Sequence, residues 1–289
     1  MEDFYINNTS LANSYNYSNI TSNNKDNKEV NFNLRVIFYI IICIGLLFTL
    51  MAIYALYSQV RNDHVAPIYV INLFISDLIQ LCYLIVWVAL RGDQKIVQIL
   101  ELIAGCCLLA SVGFMVCIAL ERYLVIAFPL WYRFRRTIKT SVVVCVVVWV
   151  IPLFVKLPFI FLDDFNVKFI IFGVFLLFPF PLLIFFLGGT LKALSASRVP
   201  SDEKRRIVGV LVLVLLIYTL LFLPSIIRSL TEETRRCFTL NIVSSVFLCL
   251  NPFADAVLYV FMRKGTIDKL LASVCCCRMN SNDISSSSV

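Results

Sequence analysis

Charge is scarce in this 289-residue chain. Asp, Glu, Lys and Arg make up 15% of it, against about 25% in soluble domains. Histidine is nearly absent: the one copy, His64, leaves no pair for a proton relay or a metal centre. No Ser/His/Asp set, clustered metal ligands or Gly-rich phosphate loop can be assembled, and no internal repeat is visible. The amino-terminal stretch has no apolar core followed by a small-residue cleavage site, so a removable signal peptide is not expected. Nor do the 11 cysteines form a secreted-type framework, because most sit inside apolar runs where they read as small hydrophobes. These absences exclude a cytosolic enzyme, a nucleic-acid binder and a disulfide-stapled secreted domain.

What is abundant is apolar surface, at 60% of residues, more than a water-soluble core can bury. Lipid is the solvent that accepts the excess, and a spanning helix needs about 20 apolar residues. Long apolar runs cover roughly 34–58, 66–90, 96–127, 138–161, 167–193, 205–230 and 237–262. The expected fold is an all-α membrane protein, a bundle of seven transmembrane helices over 34–262. An amphipathic eighth helix over 263–274 follows it. Residues 1–33 read as a disordered outer tail and 275–289 as a cytoplasmic one. The outer tail carries sequons at Asn7, Asn8, Asn16 and Asn19, which suits a glycosylated, extracellular amino end. Cys275, Cys276 and Cys277 follow the last amphipathic stretch and read as palmitoylation sites or as reduced thiols. Of the 25 Lys and Arg, 15 fall on the expected inner side, among them Arg133, Arg135, Arg136, Lys204, Arg205 and Arg206. That satisfies the positive-inside rule and puts the net charge of +7 where an anionic leaflet and an acidic cytosolic partner would meet it.

Polar residues inside lipid are costly and therefore functional candidates. Asp77 closes Asn72-Leu-Phe-Ile-Ser-Asp77 in the second run, Asp255 closes Asn251-Pro-Phe-Ala-Asp255 in the seventh, and Ser111 lies midway along the third. Two carboxylates facing one cavity must share a proton or a small cation, and Na⁺ with oxygens from Asp77, Ser111, Asn251 and Asp255 would satisfy them. The alternative is that each Asp bonds neighbouring helices as structural glue. Glu121-Arg122-Tyr123 ends the third run at the inner face, with Pro129-Leu130 and a basic stretch after it.

With these landmarks the sequence resembles the rhodopsin-like (class A) G-protein-coupled receptors from about Val36 to Cys277. The resemblance rests on Asn72-Leu-x-x-x-Asp77, Glu121-Arg122-Tyr123, Pro129-Leu130, Trp149, Pro181, Phe222-x-Pro224 and Asp255-x-x-x-Tyr259, one set per helix and in order. Phe222 and Asp255 look like the δ branch, and the run from Leu250 to Phe261 looks most like its proton-sensing and lysophospholipid members. The resemblance implies a receptor, not an enzyme, with no catalytic residue and no cofactor beyond an allosteric Na⁺. It implies a bilayer, an extracellular small ligand and a heterotrimeric G protein as partners, at the plasma membrane with the amino end outside. Arg122, held by Glu121 at rest, would be released towards Tyr259. Leu130 would enter a G-protein pocket, Lys204, Arg205 and Arg206 would line the opened cleft, and Phe222, two residues before Pro224, would be the rotamer switch beneath the ligand.

The chain also departs from the family. Val97 replaces the Cys that anchors the outer-loop disulfide, Leu46 an Asn, Gly189 a Tyr and Ala256 a Pro, so the seventh-span kink is expected to move towards Pro252. These departures keep a non-signalling decoy of the same fold open as an alternative, with a carrier or channel behind it. Ala104 and Cys249 stand where amine receptors carry Asp and opsins carry the Schiff-base Lys. With His64 in the first inner loop and Pro152 at a family acidic position, proton sensing would rest on Asp77 and Asp255. A ligand cavity formed by Tyr83, Arg91, Glu101, Lys156 and Arg228 would instead suit a phosphate or carboxylate, of a small lipid or a nucleotide. The alternative is that those cations snorkel to the interface.

Overall fold

The computed structural model describes residues 33–58, 68–89, 94–135, 138–157, 161–162, 164–195 and 201–262. Within lipid a helix satisfies every backbone N–H and C=O internally, and the described chain is helical almost throughout. The first three spans are α1 (Asn33–Ser58), α2 (Ile68–Ala89) and α3 (Gln94–Ala127). A short inner helix, α4 (Pro129–Arg135), leads to the fourth span, α5 (Ile138–Lys156). The fifth span is α6 (Phe165–Leu177) followed by α7 (Pro179–Ser195), and α8 (Ser201–Leu230) is the sixth. A single outer turn, α9 (Glu232–Arg235), precedes the seventh span, α10 (Phe238–Cys249) and α11 (Asn251–Met262). Among the described residues six helices are long and apolar enough to cross a membrane, and the bent α10–α11 pair, taken as one span, makes a seventh.

Local chemistry sets several of these boundaries. Asp164 caps α6 by accepting from the Asn166 N–H at 2.8 Å. Pro129 and Pro179 each occupy a first helical position, where their missing N–H is no loss. The seventh span bends by 44° at Leu250, just before Pro252. Pro252 has no N–H to donate back into α10, which accounts for a break at this point.

The third span is the axis of the bundle, packing against α2, α5 and α7. Its central stretch is 67% buried, against 17% for the fourth span. Small residues let helices approach where side chains would hold them apart. A Cβ on Gly113 would lie 2.7 Å from Val148 Cγ1, and one on Gly173 would lie 2.7 Å from Ser229 Cβ. The core between the helices is filled by Phe74, Phe114, Met115, Leu176, Tyr218 and Phe222. Outward faces instead carry Tyr54, Phe154 and Phe178, which lipid accommodates and water would penalise.

Candidate functional site

The polar exceptions of the second, third and seventh spans meet in one cluster at the centre of the bundle. Asp77, Ser111, Asn251 and Asp255 are all 0% exposed. Ser111 Oγ donates to Asp255 Oδ2 at 2.9 Å, and Asn251 Nδ2 donates to Ser111 Oγ at 2.8 Å and to Asp255 Oδ2 at 3.1 Å. Asp77 lies against Asp255. Both Asp77 oxygens, Asp255 Oδ1 and Asn251 Oδ1 accept no hydrogen bond. Four buried acceptor oxygens converging without donors call for a proton, a water or an ion. Among the described residues no three His, Cys, Asp or Glu side chains group at metal-ligand spacing. The cluster therefore offers two carboxylates with an amide and a hydroxyl, a hard-oxygen set that fits Na⁺.

Above the cluster Phe222 is fully buried and tilts against Tyr218, with ring centroids 4.8 Å apart. Tyr218 Oη in turn donates to the Leu176 carbonyl of the fifth span. Pro224 lies two residues further on in α8, half-buried. Below the cluster Tyr259 is buried edge-to-face on Phe74 of the second span, centroids 5.4 Å apart.

At the end of the bundle where α6 begins and α8 ends, a cavity of about 560 Å³ opens between the helices. Tyr83, Glu101, Lys156 and Arg228 all line it, and Arg91 lies outside the described residues. Lys156 reaches it across the face of the third span at Gly105, where a Cβ would stand 2.9 Å from both Cε and Nζ. Its Nζ rests 4.5 Å from the Phe172 ring centroid. Arg228 Cζ lies 5.3 Å from the Phe169 centroid, and Arg235 Cζ lies 5.7 Å from the same ring. Arg235 Nη1 also donates to Asn166 Oδ1 at 2.6 Å, which fixes the rim. Arg228 Nε is buried and has no hydrogen-bond partner. Desolvating a guanidinium without an acceptor is unfavourable, and an anion supplied from outside would restore the missing bond.

The opposite end of the bundle, where α3 ends and α8 begins, gathers the remaining candidates. Glu121 accepts from Tyr132 Oη of α4 at 2.5 Å, a contact the expected pairing with Arg122 did not include. Tyr123 stacks on Phe186 of the fifth span, centroids 5.8 Å apart and rings 25° from parallel. It occupies the space beside Gly189, where a Cβ would lie 2.6 Å from its Cε2. Leu130 is 74% exposed on α4, next to Phe134 at 81%. Lys204 and Arg205 lie in the opening turns of α8, and Arg206 Nη2 donates to the Met262 carbonyl at 2.7 Å. That bond ties the inner ends of the sixth and seventh spans together.

Sequence reasoning missed Tyr132, Gly105, Lys168, Phe169 and Phe172. The α6 residues share one helical face, so a polarity wheel drawn from Asp164 onwards would have found them. Gly105 and Tyr132 carry no such signal. The sequons at Asn7, Asn8, Asn16 and Asn19, the eighth helix and Cys275, Cys276 and Cys277 lie outside the described residues.

Residues 48–168, from the first span to the start of the fifth, match the family described as 7 transmembrane receptor (rhodopsin family). The chain is similar to G-protein coupled receptor 68 of Homo sapiens, 26% identical over 269 residues that cover 80% of this chain and 73% of that one. It is also similar to proteinase-activated receptor 2 of Rattus norvegicus, 24% identical over 292 residues, 84% of this chain and 72% of the relative. A shorter match, 26% identical over 129 residues, is to the type-1 angiotensin II receptor of Oryctolagus cuniculus, with 42% and 36% covered.

Proposed function

We propose that this chain, of which residues 48–168 match the family described as 7 transmembrane receptor (rhodopsin family), converts the binding of a small anionic ligand on its extracellular side into activation of a heterotrimeric G protein. The observation that carries the ligand half is Arg228, whose Nε is buried at the cavity without an acceptor. Lys156 and Lys168 line the same cavity. Binding there would bear on α6 and α8 together, because both present side chains to it. Tyr218 and Phe222 of α8 pack on each other, so a shift of α8 would carry both buried rings with it. At the inner end the same shift would open the Arg206–Met262 tie and expose the basic start of α8 to the G protein.

Cells carrying a G-protein dissociation reporter test this reading with a panel of anionic lipids and nucleotides. At matched surface display, Arg228→Ala should weaken agonist potency by about ten-fold or more, since a charge-assisted bond contributes about 1.5–3 kcal/mol. Unchanged potency would remove Arg228 from the site. Silence of the wild type across all G-protein classes, with good display, would make the protein a decoy.

The buried carboxylates supply a second, separable element. Asp77, Asp255, Asn251 and Ser111 would hold one Na⁺, whose charge lets both carboxylates remain ionised in a dry site. At a sodium concentration about ten times the dissociation constant the folded state gains about 1.4 kcal/mol. For a chain of this size that raises the melting midpoint by about 3–6 °C. The purified protein should show that rise when choline chloride is replaced by sodium chloride at constant ionic strength, and Asp77→Asn should abolish it. An equal rise in both proteins would end the assignment.

A further inference from the structure

A second hollow lies on the outward face of the sixth span. It has a volume of about 560 Å³ and is formed by α8 together with Phe247 of α10. Leu216 and Leu220 are 56% exposed there and Leu223 43%, so the hollow opens towards lipid and not into the bundle. Val212, Leu216, Leu220 and Leu223 recur at helical spacing and make one stripe that ends at Pro224, about 18 Å long. The hollow shares no residue with the cavity that Arg228 lines.

Its wall offers hydrogen-bond acceptors and no free donor. Pro224 sits inside α8 and has no N–H, so the Leu220 carbonyl one turn before it lacks its helical donor. A helical carbonyl points along the axis towards the residue four places on. Leu220 and Pro224 both line the hollow, which puts the freed oxygen at its wall. Thr219 is the one polar side chain among the lining residues. Its hydroxyl donates to the Leu215 carbonyl at 2.7 Å, which leaves its oxygen as a further acceptor. Leu220 lies about 15 Å along the helix from the end of α8 at Leu230. That is half of a hydrocarbon core about 30 Å thick, a depth at which no water answers an exposed carbonyl.

We propose that this hollow binds an uncharged single-chain lipid that carries a hydrogen-bond donor, a long-chain alcohol or primary amide. Its O–H or N–H donates to the Leu220 carbonyl, and its hydrocarbon lies along Leu216 and Val212. A phospholipid acyl chain fills the same space but leaves the carbonyl unanswered. A fatty-acid anion has no donor, sets negative charge against the carbonyl dipole and is costly at that depth. Tyr218 and Phe222 are buried on the opposite face of α8, so an occupant bears on the curvature of the helix that carries both rings.

The test uses the full chain in phosphatidylcholine nanodiscs with a diazirine-bearing oleyl alcohol, photolysed and mapped by peptide mass spectrometry. Label should concentrate on α8 between Val212 and Pro224 and at Phe247. Oleyl alcohol and oleamide should suppress it. Methyl oleyl ether, with the same chain and no donor, should need about five-fold more, the worth of one net hydrogen bond. Oleate should do no better than the ether. Pro224→Ala returns an N–H to the Leu220 carbonyl, so alcohol and ether should then compete equally. Leu216→Trp fills the hollow from the lipid side and should remove the concentrated label, with an unchanged melting midpoint to confirm its fold. Label spread evenly over the outward faces of all spans is ordinary annular lipid and overturns the proposal. Equal suppression by alcohol and ether in the wild type overturns it, as does an advantage of the alcohol that survives in Pro224→Ala. Should that variant fail to fold, the wild-type comparison and Leu216→Trp decide alone.

Discussion

Arg122→Ala reduces G-protein dissociation in the reporter line to that of cells without the receptor, at unchanged surface display. Arg122 is half-buried at the inner end of the third span, the helix on which three others pack. A guanidinium there presents several donors in a fixed fork, and no other side chain at this position replaces them. The structure gives the expectation a second arm. Glu121 accepts from Tyr132 Oη, so this hydroxyl competes with Arg122 for the carboxylate. Tyr132→Phe removes the competing donor, frees that carboxylate oxygen for Arg122, and should lower basal signalling. A partly exposed ion pair contributes about 0.2–1 kcal/mol, so the drop is modest, up to about five-fold. Wild-type signalling by Arg122→Ala, or a rise in basal signal with Tyr132→Phe, would contradict this account of the inner face.

The spans and their polar exceptions were legible because lipid imposes a severe rule on sequence. Each helix must be apolar over its length, so Asp77, Ser111, Asn251 and Asp255 stood out before any helix was placed. The bundle then brought all four within one cluster. Tyr83, Glu101, Lys156 and Arg228 were legible for the same reason and share one cavity. The bend at Leu250 was legible from Pro252, because a proline removes a donor wherever it sits. What could not be read depends on helix rotation and approach. Gly105 is one of nine glycines, and only the crossing of the third and fourth spans reveals that Lys156 lies over it. Tyr132 sits in a short helix whose register against the third span decides what its hydroxyl meets. The bond from Tyr132 to Glu121 is invisible in a tripeptide that looks ordinary.

Gly189 shows how a departure from the family pattern becomes intelligible once neighbours are known, and it supports the second large prediction. The missing side chain does not leave a void, because Tyr123 fills the space. Its ring stacks on Phe186, meets Phe185 edge-on at 5.9 Å and meets Phe128 edge-on at 6.1 Å. A Cβ at 189 would come within 2.6 Å of Tyr123 Cε2 and 3.3 Å of its Cδ2 and Cζ. Two effects then oppose each other in Gly189→Leu. Helix propensity favours leucine over glycine by about 0.8–1 kcal/mol. Overpacking against a ring held on three sides costs about 1–3 kcal/mol for a small insertion and more for a whole side chain. The clash wins, and the melting midpoint should fall by several degrees, at about 2–4 °C per kcal/mol. The adjacent Gly188 has nothing within 4 Å of its Cβ position, so Gly188→Leu experiences only the propensity gain and should melt no lower than wild type. Combining Gly189→Leu with Tyr123→Ala should recover much of the loss, because the side chain at 189 then enters the space the ring has left. If Gly189→Leu and Gly188→Leu melt alike, Tyr123 does not occupy that space, and the absent tyrosine of the fifth span has not been replaced from the third.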